Sequence, residues 1–594
     1  MAEIQETKLK IMKVTFTRKI LLLLCVFVCC FQGNSVYALA PVKSDAGNPI
    51  KPDQPNNLGY NTENTVHFSI DSRQTGKRFT PIWTYFGYDE CNATTSEDGK
   101  ALLRELANIC QRPPHIRTHF LLCSGDGAYD LKWGATNVYT EDRMGNPVYD
   151  WKILDEIVDT VVQAGCRHHF QFGFMPAALA PPDKPYKNTG LKKHGKNTGV
   201  SSPPVDYHKW ATVIKTVTDR YVKRYPEAAS TWNWETWNEP NIGFFGGSFE
   251  EFCTLNDFSA RAFRDVLPGG RYGGPHTAGG GWLTEFMEHC ANGVNYATGR
   301  KGTPLEFIAF HSKGTTNMVN GHPQMQLQKN LRVCDEALAA IASNKTYRRT
   351  PVIIGEYDPE GTAALSAKVK PANAYRNESI YAAYEVALMK HTLDLAKSHN
   401  INLEGALTWA FMFENKAYFE GFRALTTNGI KKPVFNAFVM LGMLRGNRID
   451  LNSSGALGLQ NILKTGVRNE ADIDGMAFRS EGKTQAILWH YHDDMAEAPG
   501  RSISLSVTAP SNSVQQARVT HYRIDRHHSN AHTRWLEMGS PQKLSTEQKR
   551  VLKLHGSLEL LSPVIVKTVR QNTLTMDFEL PRSAVSLLEV EWMK

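Results

Sequence analysis

Beyond its first forty residues the 594-residue chain has no long apolar run, which argues against further membrane spans. It has no dense Lys/Arg block after the first twenty residues. Its formal charge of +8 is therefore spread over a large surface and predicts no nucleic-acid partner. No Cys-x-x-Cys pair occurs, so no zinc-site spacing is present, and the glycine run 279–281 lacks the Lys-Ser/Thr that completes a phosphate loop. The His527, His528, His532 group has no companion cysteine or acidic cluster. No metal and no organic cofactor are expected. Internal repeats and long low-complexity tracts are also missing, which excludes solenoids and bulk disorder.

What remains is an ordinary globular composition in a chain too long for one compact core, so two or more domains are expected. Lys8, Lys10, Lys13, Arg18 and Lys19 precede an apolar run from Ile20 to Phe31, and small residues follow at Val36 and Ala38. That order predicts a signal peptide over 1–38, cleaved after Ala38, and hence a secreted or periplasmic protein with no stable membrane span after cleavage. Seven of the ten cysteines lie beyond this segment. An odd number cannot all pair, and most are expected to be small buried apolar side chains.

Residues 39–64 are rich in Pro, Asn, Asp and Gly and are expected to form a leader or linker. From 65 to 445 short apolar runs alternate with amphipathic helices such as 151–162 and 379–395. Eight runs are expected as strands, namely 81–88, 115–122, 169–174, 231–238, 271–275, 307–311, 352–356 and 406–411. Eight such units predict an α/β fold, a (β/α)8 TIM barrel with its chemistry at the C-terminal strand ends. After residue 446 the texture becomes alternating strands (486–492, 502–507, 517–522, 574–579, 586–591), which predicts an accessory C-terminal β-sandwich. Val66–Ile70 alternates in the same way and could pair into that sandwich, within a segment taken as 65–75.

The segment 231–241, Thr-Trp-Asn-Trp-Glu-Thr-Trp-Asn-Glu-Pro-Asn, packs three tryptophans and two glutamates into eleven residues. Indole faces stack on sugar rings and amides bond hydroxyls, so this pattern suits a carbohydrate. Glu239 lies at the rim, before the proline that ends the ladder, while Glu235 lies deeper. Burial in an aromatic cleft is expected to raise the Glu239 pKa, as a proton donor requires. The second segment, Pro351 to Pro359, carries Glu356 at the end of a buried strand, where an ionised carboxylate needs donors such as Tyr357 or a nearby histidine. Glu239 on the fourth strand and Glu356 on the seventh face each other across a barrel mouth. The expected roles are Glu239 as acid/base and Glu356 as nucleophile. A separation of about 5–5.5 Å would make the enzyme retaining.

These residues resemble glycoside hydrolase family 39, the family of β-xylosidases and α-L-iduronidases. Trp-Asn-Glu-Pro-Asn at 237–241 is similar to its acid/base motif and Gly-Glu-Tyr at 355–357 to its nucleophile motif. The likeness continues through 115–119, 173–180, 307–314 and 522–541, and so covers about 65–594. It implies substrate-binding roles for His119, Asn238, His311, Lys313, Tyr357, Trp409 and Glu414. It implies an exo-acting retaining β-xylosidase acting on an oligosaccharide or a polysaccharide-derived substrate. Lys313 and Arg423 look more like the iduronidase pattern and keep a uronic-acid substrate as the alternative. From another class, a catalytically silent carbohydrate-binding protein would keep the cleft without turnover.

Overall fold

The computed structural model describes residues 65–128, 133–186, 198–409 and 416–593. The segments expected as signal peptide and leader, and Glu414, lie outside the described residues. Eight parallel strands close into a barrel in sequence order: β1 (Tyr85–Tyr88), β2 (His115–Thr118), β3 (Arg167–Gln171), β4 (Asn233–Glu235), β5 (Arg271–Ala278), β6 (Phe307–Lys313), β7 (Val352–Asp358) and β8 (Leu403–Trp409), with β8 pairing back onto β1. All eight fall on the apolar runs read from the sequence.

Helices cover the outside of the barrel, and local chemistry starts several of them. Asp206 accepts the His208 and Lys209 amides at the start of Tyr207–Arg224, and Ser248 with Glu251 forms a capping box before Phe249–Val266. Large apolar residues on the outward face pack under these helices, as Phe170 and Trp234 do with ring centroids 4.9 Å apart. The inward side differs. A small apolar set that includes Tyr85, Phe307, Ile353, Leu407 and Trp409 shares the barrel interior with buried Arg117, His169, Gln171, Glu235 and His276. Charges this deep persist only when paired and hydrogen-bonded.

Behind the barrel two sheets share a second core built from Val66, Phe68, Leu505, Met576, Leu588 and others. One sheet has the order 451–453, 65–71, 501–508, 573–580, and the other is built mainly on 472–480, 483–491, 585–593 and 516–524. The stretch Arg501–Thr508 shows why: every second residue, Ile503, Leu505 and Val507, is buried while its neighbours are more exposed. The Thr65–Asp71 strand runs parallel to Arg501–Thr508, so the start of the described chain lies in this sheet. Helix Ser379–Ser398 is packed between barrel and sandwich and is buried on most of its surface. Lys390 bonds Asp474 and His391 bonds Asp472 across that junction. All seven cysteines among the described residues are free thiols, six of them buried. No helix among the described residues is long and apolar enough to cross a membrane.

Candidate active site

The C-terminal ends of the strands converge on one cleft of 160 Å³. It is lined by His119, Asn238, Glu239, Phe244, Lys313, Glu356, Trp409 and Arg423, among others. Strand β4 is short. Its chain leaves the ladder after Glu235 and turns back at Glu239, whose backbone is left-handed (φ 43°) and held by its amide bonding the His276 carbonyl at 2.9 Å. A glutamate in that conformation is strained, as residues at functional sites often are. Glu356 projects from β7. An oxygen from each carboxylate and a nitrogen of His311 all lie within 4.8 Å of one another.

Glu356 is held by cations. Lys313 Nζ donates to its Oε2 at 2.5 Å and Arg117 Nη1 to its Oε1 at 3.2 Å, while His311 and His119 stand 3.7 and 3.9 Å away. Burial alone would push this carboxyl up. The Lys313 and Arg117 charges, with His311 and His119 beside them, outweigh it and hold it well below the usual range, in the ionised form. Lys313 also meets Asp358 at 2.9 Å, and the pair of carboxylates raises its own pKa despite burial. Loss of Lys313 removes the first of the charges beside Glu356 and raises the Glu356 pKa. Lys313→Met is therefore expected to move the acid limb of the kcat/KM profile up by about 1–3 pH units. An unmoved limb in the pH–rate profile would show that Lys313 does not set the charge of Glu356.

Glu239 Oε1 lies 3.0 Å from His311 Nδ1. Burial and the Glu356 charge raise its pKa. When His311 acts as donor, that bond and the charges of His311 and Lys313 bring it below the ordinary value, opposite to the rise expected from burial alone. Asn238 Oδ1 accepts from Arg117 at 3.0 Å, which fixes the amide at the cleft wall. His119 is held by Asp89 at 2.8 Å and packs against Trp409, ring centroids 4.6 Å apart. Trp409 lines the same cleft.

Tyr357 is not brought to the cleft. Successive strand residues point to opposite faces, so with Glu356 inward Tyr357 points to the helix layer, where its hydroxyl meets Thr392 at 2.6 Å. Four residues do work that the sequence reading did not assign. Arg117 ties Glu356, Asn238 and Glu235 together. Asp358 bonds Lys313 and the Trp409 amide. Glu360 anchors Arg376 and Arg423. His276 stands under His311. Two buried groups, His169–Glu235–His276 and Glu239–His311–Glu356, have ligand atoms close enough to hold a metal ion.

Known proteins are similar to this chain over much of its length. The model of glycosyl hydrolases family 39 matches residues 66–560. A β-xylosidase of Geobacillus stearothermophilus is 25% identical over 81% of this chain and 86% of its own. An α-L-iduronidase of Canis lupus familiaris is 24% identical over 63% of this chain and 58% of its own. A crystal structure of a monomeric β-xylosidase from Caulobacter crescentus superposes with a TM-score of 0.69 at 20% identity, covering 89% of this chain and 100% of the other.

Proposed function

Because this chain belongs to glycosyl hydrolases family 39 and is a glycosidase, we propose that it removes one terminal sugar at a time with retention of anomeric configuration, a β-xyloside being the first reading of its substrate. The observation that carries retention is the approach of Glu239 and Glu356, oxygens within 4.8 Å across one cleft. Retention asks for carboxyl groups about 5–5.5 Å apart, whereas inversion leaves roughly 6.5–9.5 Å to admit a water, so this close approach supports the first. The small size of the cleft, 160 Å³, supports exo action on one terminal sugar.

In the first step Glu239 gives its proton to the leaving oxygen as a Glu356 oxygen attacks the anomeric carbon, forming a glycosyl-enzyme ester and releasing the aglycone. In the second, Glu239 takes a proton from water, which attacks the same carbon and frees Glu356. Asn238 faces the 2-hydroxyl, His119 and His311 other hydroxyls, and Trp409 stacks on the ring. The basic and apolar N-terminal segments support export of the protein.

The xyloside reading is supported by the β-xylosidase relative that matches most of the chain. A uronic acid is the second reading, favoured by two cations in the cleft wall, Lys313 and Arg423. Both cations already face carboxylates, Lys313 those of Glu356 and Asp358, Arg423 that of Glu360. A neutral sugar therefore leaves them compensated. A panel of aryl β-xyloside against aryl α-L-iduronide tests the choice, with product configuration followed by proton NMR. Turnover of the xyloside at least tenfold above the iduronide, with the retained anomer appearing first, is expected. The reverse preference selects the second reading, and the inverted anomer removes the covalent mechanism.

A further inference from the structure

Below the cleft a file of side chains runs from Glu239 into the barrel. His311 Nδ1 faces Glu239 at 3.0 Å, and His311 Nε2 faces His276 Nδ1 at 3.3 Å. His276 Nε2 contacts Glu235 Oε2, which His169 Nε2 also meets at 2.9 Å. The other oxygen, Oε1, accepts from Arg117 Nε at 2.8 Å and from Gln171 at 3.1 Å. Glycine at 355 makes room for the file, because a Cβ there would fall on His276 Nδ1.

Hydrogen-bond arithmetic fixes the direction of this file. Glu235 is surrounded by four donors and is an ionised, acceptor-only carboxylate, so the nitrogens facing its Oε2 must carry hydrogen. His276 therefore has its proton on Nε2. It is wholly buried among Arg117, His169, His311 and Glu235. The Arg117 charge already balances Glu235, and burial holds its pKa well below that of free histidine, so it is neutral. A neutral ring protonated on Nε2 has a lone pair on Nδ1. His311 must then donate from Nε2, and as a neutral ring it presents the lone pair of its own Nδ1 to Glu239.

We propose that His276, locked by Glu235, is a positioning residue that turns His311 into a hydrogen-bond acceptor and so keeps Glu239 in its protonated, acid form between turnovers. The proposal rests on the acid/base role given to Glu239 above. It also removes the downward pull on Glu239 that a donating His311 would exert. What then faces Glu239 is the His311 lone pair, the Glu356 anion and, beyond it, Lys313. Burial and the neighbouring anion then dominate, both of which favour the neutral acid. No proton leaves His311, His276 or Glu235 in either step, because the cycle moves a proton only between Glu239, the leaving oxygen and water.

Two measurements decide it. Neutron diffraction from crystals of the free enzyme at neutral pH reads the protons directly. Hydrogen on Nε2 of both His276 and His311, and on Glu239, is expected, whereas hydrogen on His311 Nδ1 overturns the proposal. The second is the pH profile of His276→Leu, in which His311 is free to donate to Glu239. With an aryl glycoside of poor leaving ability the alkaline limb of kcat/KM is expected to fall by about one unit, a loss of about tenfold on that side. With a dinitrophenyl glycoside, whose departure needs no acid, the change should stay within about threefold. An unmoved limb, or equal slowing of both substrates, assigns His276 a merely structural part and sinks the idea. Failure of the Glu239 reading itself would appear separately, as undiminished hydrolysis of the poor-leaving-group substrate by Glu239→Gln, and the neutron map would still report the file.

Discussion

Glu356→Gly is expected to lower turnover of an aryl glycoside by roughly 10⁴–10⁶-fold, the scale seen when an enzyme loses its nucleophile, while leaving the fold intact. The fold should survive because Glu356 is already 5% exposed at the cleft and its partners Lys313 and Arg117 keep Asp358 and Glu235 as counter-ions. Added azide is expected to restore part of the rate with an activated leaving group. The azide occupies the space vacated by the carboxylate, attacks the anomeric carbon from that face, and yields a glycosyl azide of inverted configuration. That product identifies the lost group as the one that formed the bond. Hydrolysis at near wild-type rate, or a retained azide, would take the nucleophile role away from Glu356.

The pair was legible in the sequence because each glutamate ends a run of apolar or aromatic residues, and the barrel could be read from eight such runs. The supporting residues were legible in part. In His115-Ile-Arg-Thr-His119 strand alternation puts residues 115, 117 and 119 on one face. Arg117, the residue joining both halves of the site, follows from the same pattern that yields His119. Tyr357 fails by that rule, since a strand that turns 356 inward turns 357 out. Strand Asp472–Ser480 was missed for a different reason. Seven successive residues of it are buried, because one side meets the sandwich core and the other helix Ser379–Ser398, so no period of two survives. His276 had no signal at all. The preceding Gly-Gly-Pro gives it no periodicity, and its partners His311 and Glu235 arrive from strands 35 and 41 residues away.

The two glutamates of β4 and its exit are separated by a different prediction. Glu239→Gln is expected to cost about 10²–10⁴-fold on a substrate whose leaving group needs a proton, but little in the first step with a dinitrophenyl leaving group. In the second case the glycosyl-enzyme forms and then waits, because no base activates water, so kcat and KM should fall together. Azide needs no base. It should accelerate that stalled step and release a glycosyl azide of retained configuration, the opposite of the product from Glu356→Gly. Glu235 cannot take this role. It is 1% exposed, held by Arg117, Gln171, His169 and His276, and kept well below the carboxylate range by Arg117 and the two histidines. A carboxylate so fully engaged has no proton to give and no path to the anomeric oxygen. Equal losses with both leaving groups in Glu239→Gln would show that residue 239 shapes the cleft without moving the proton.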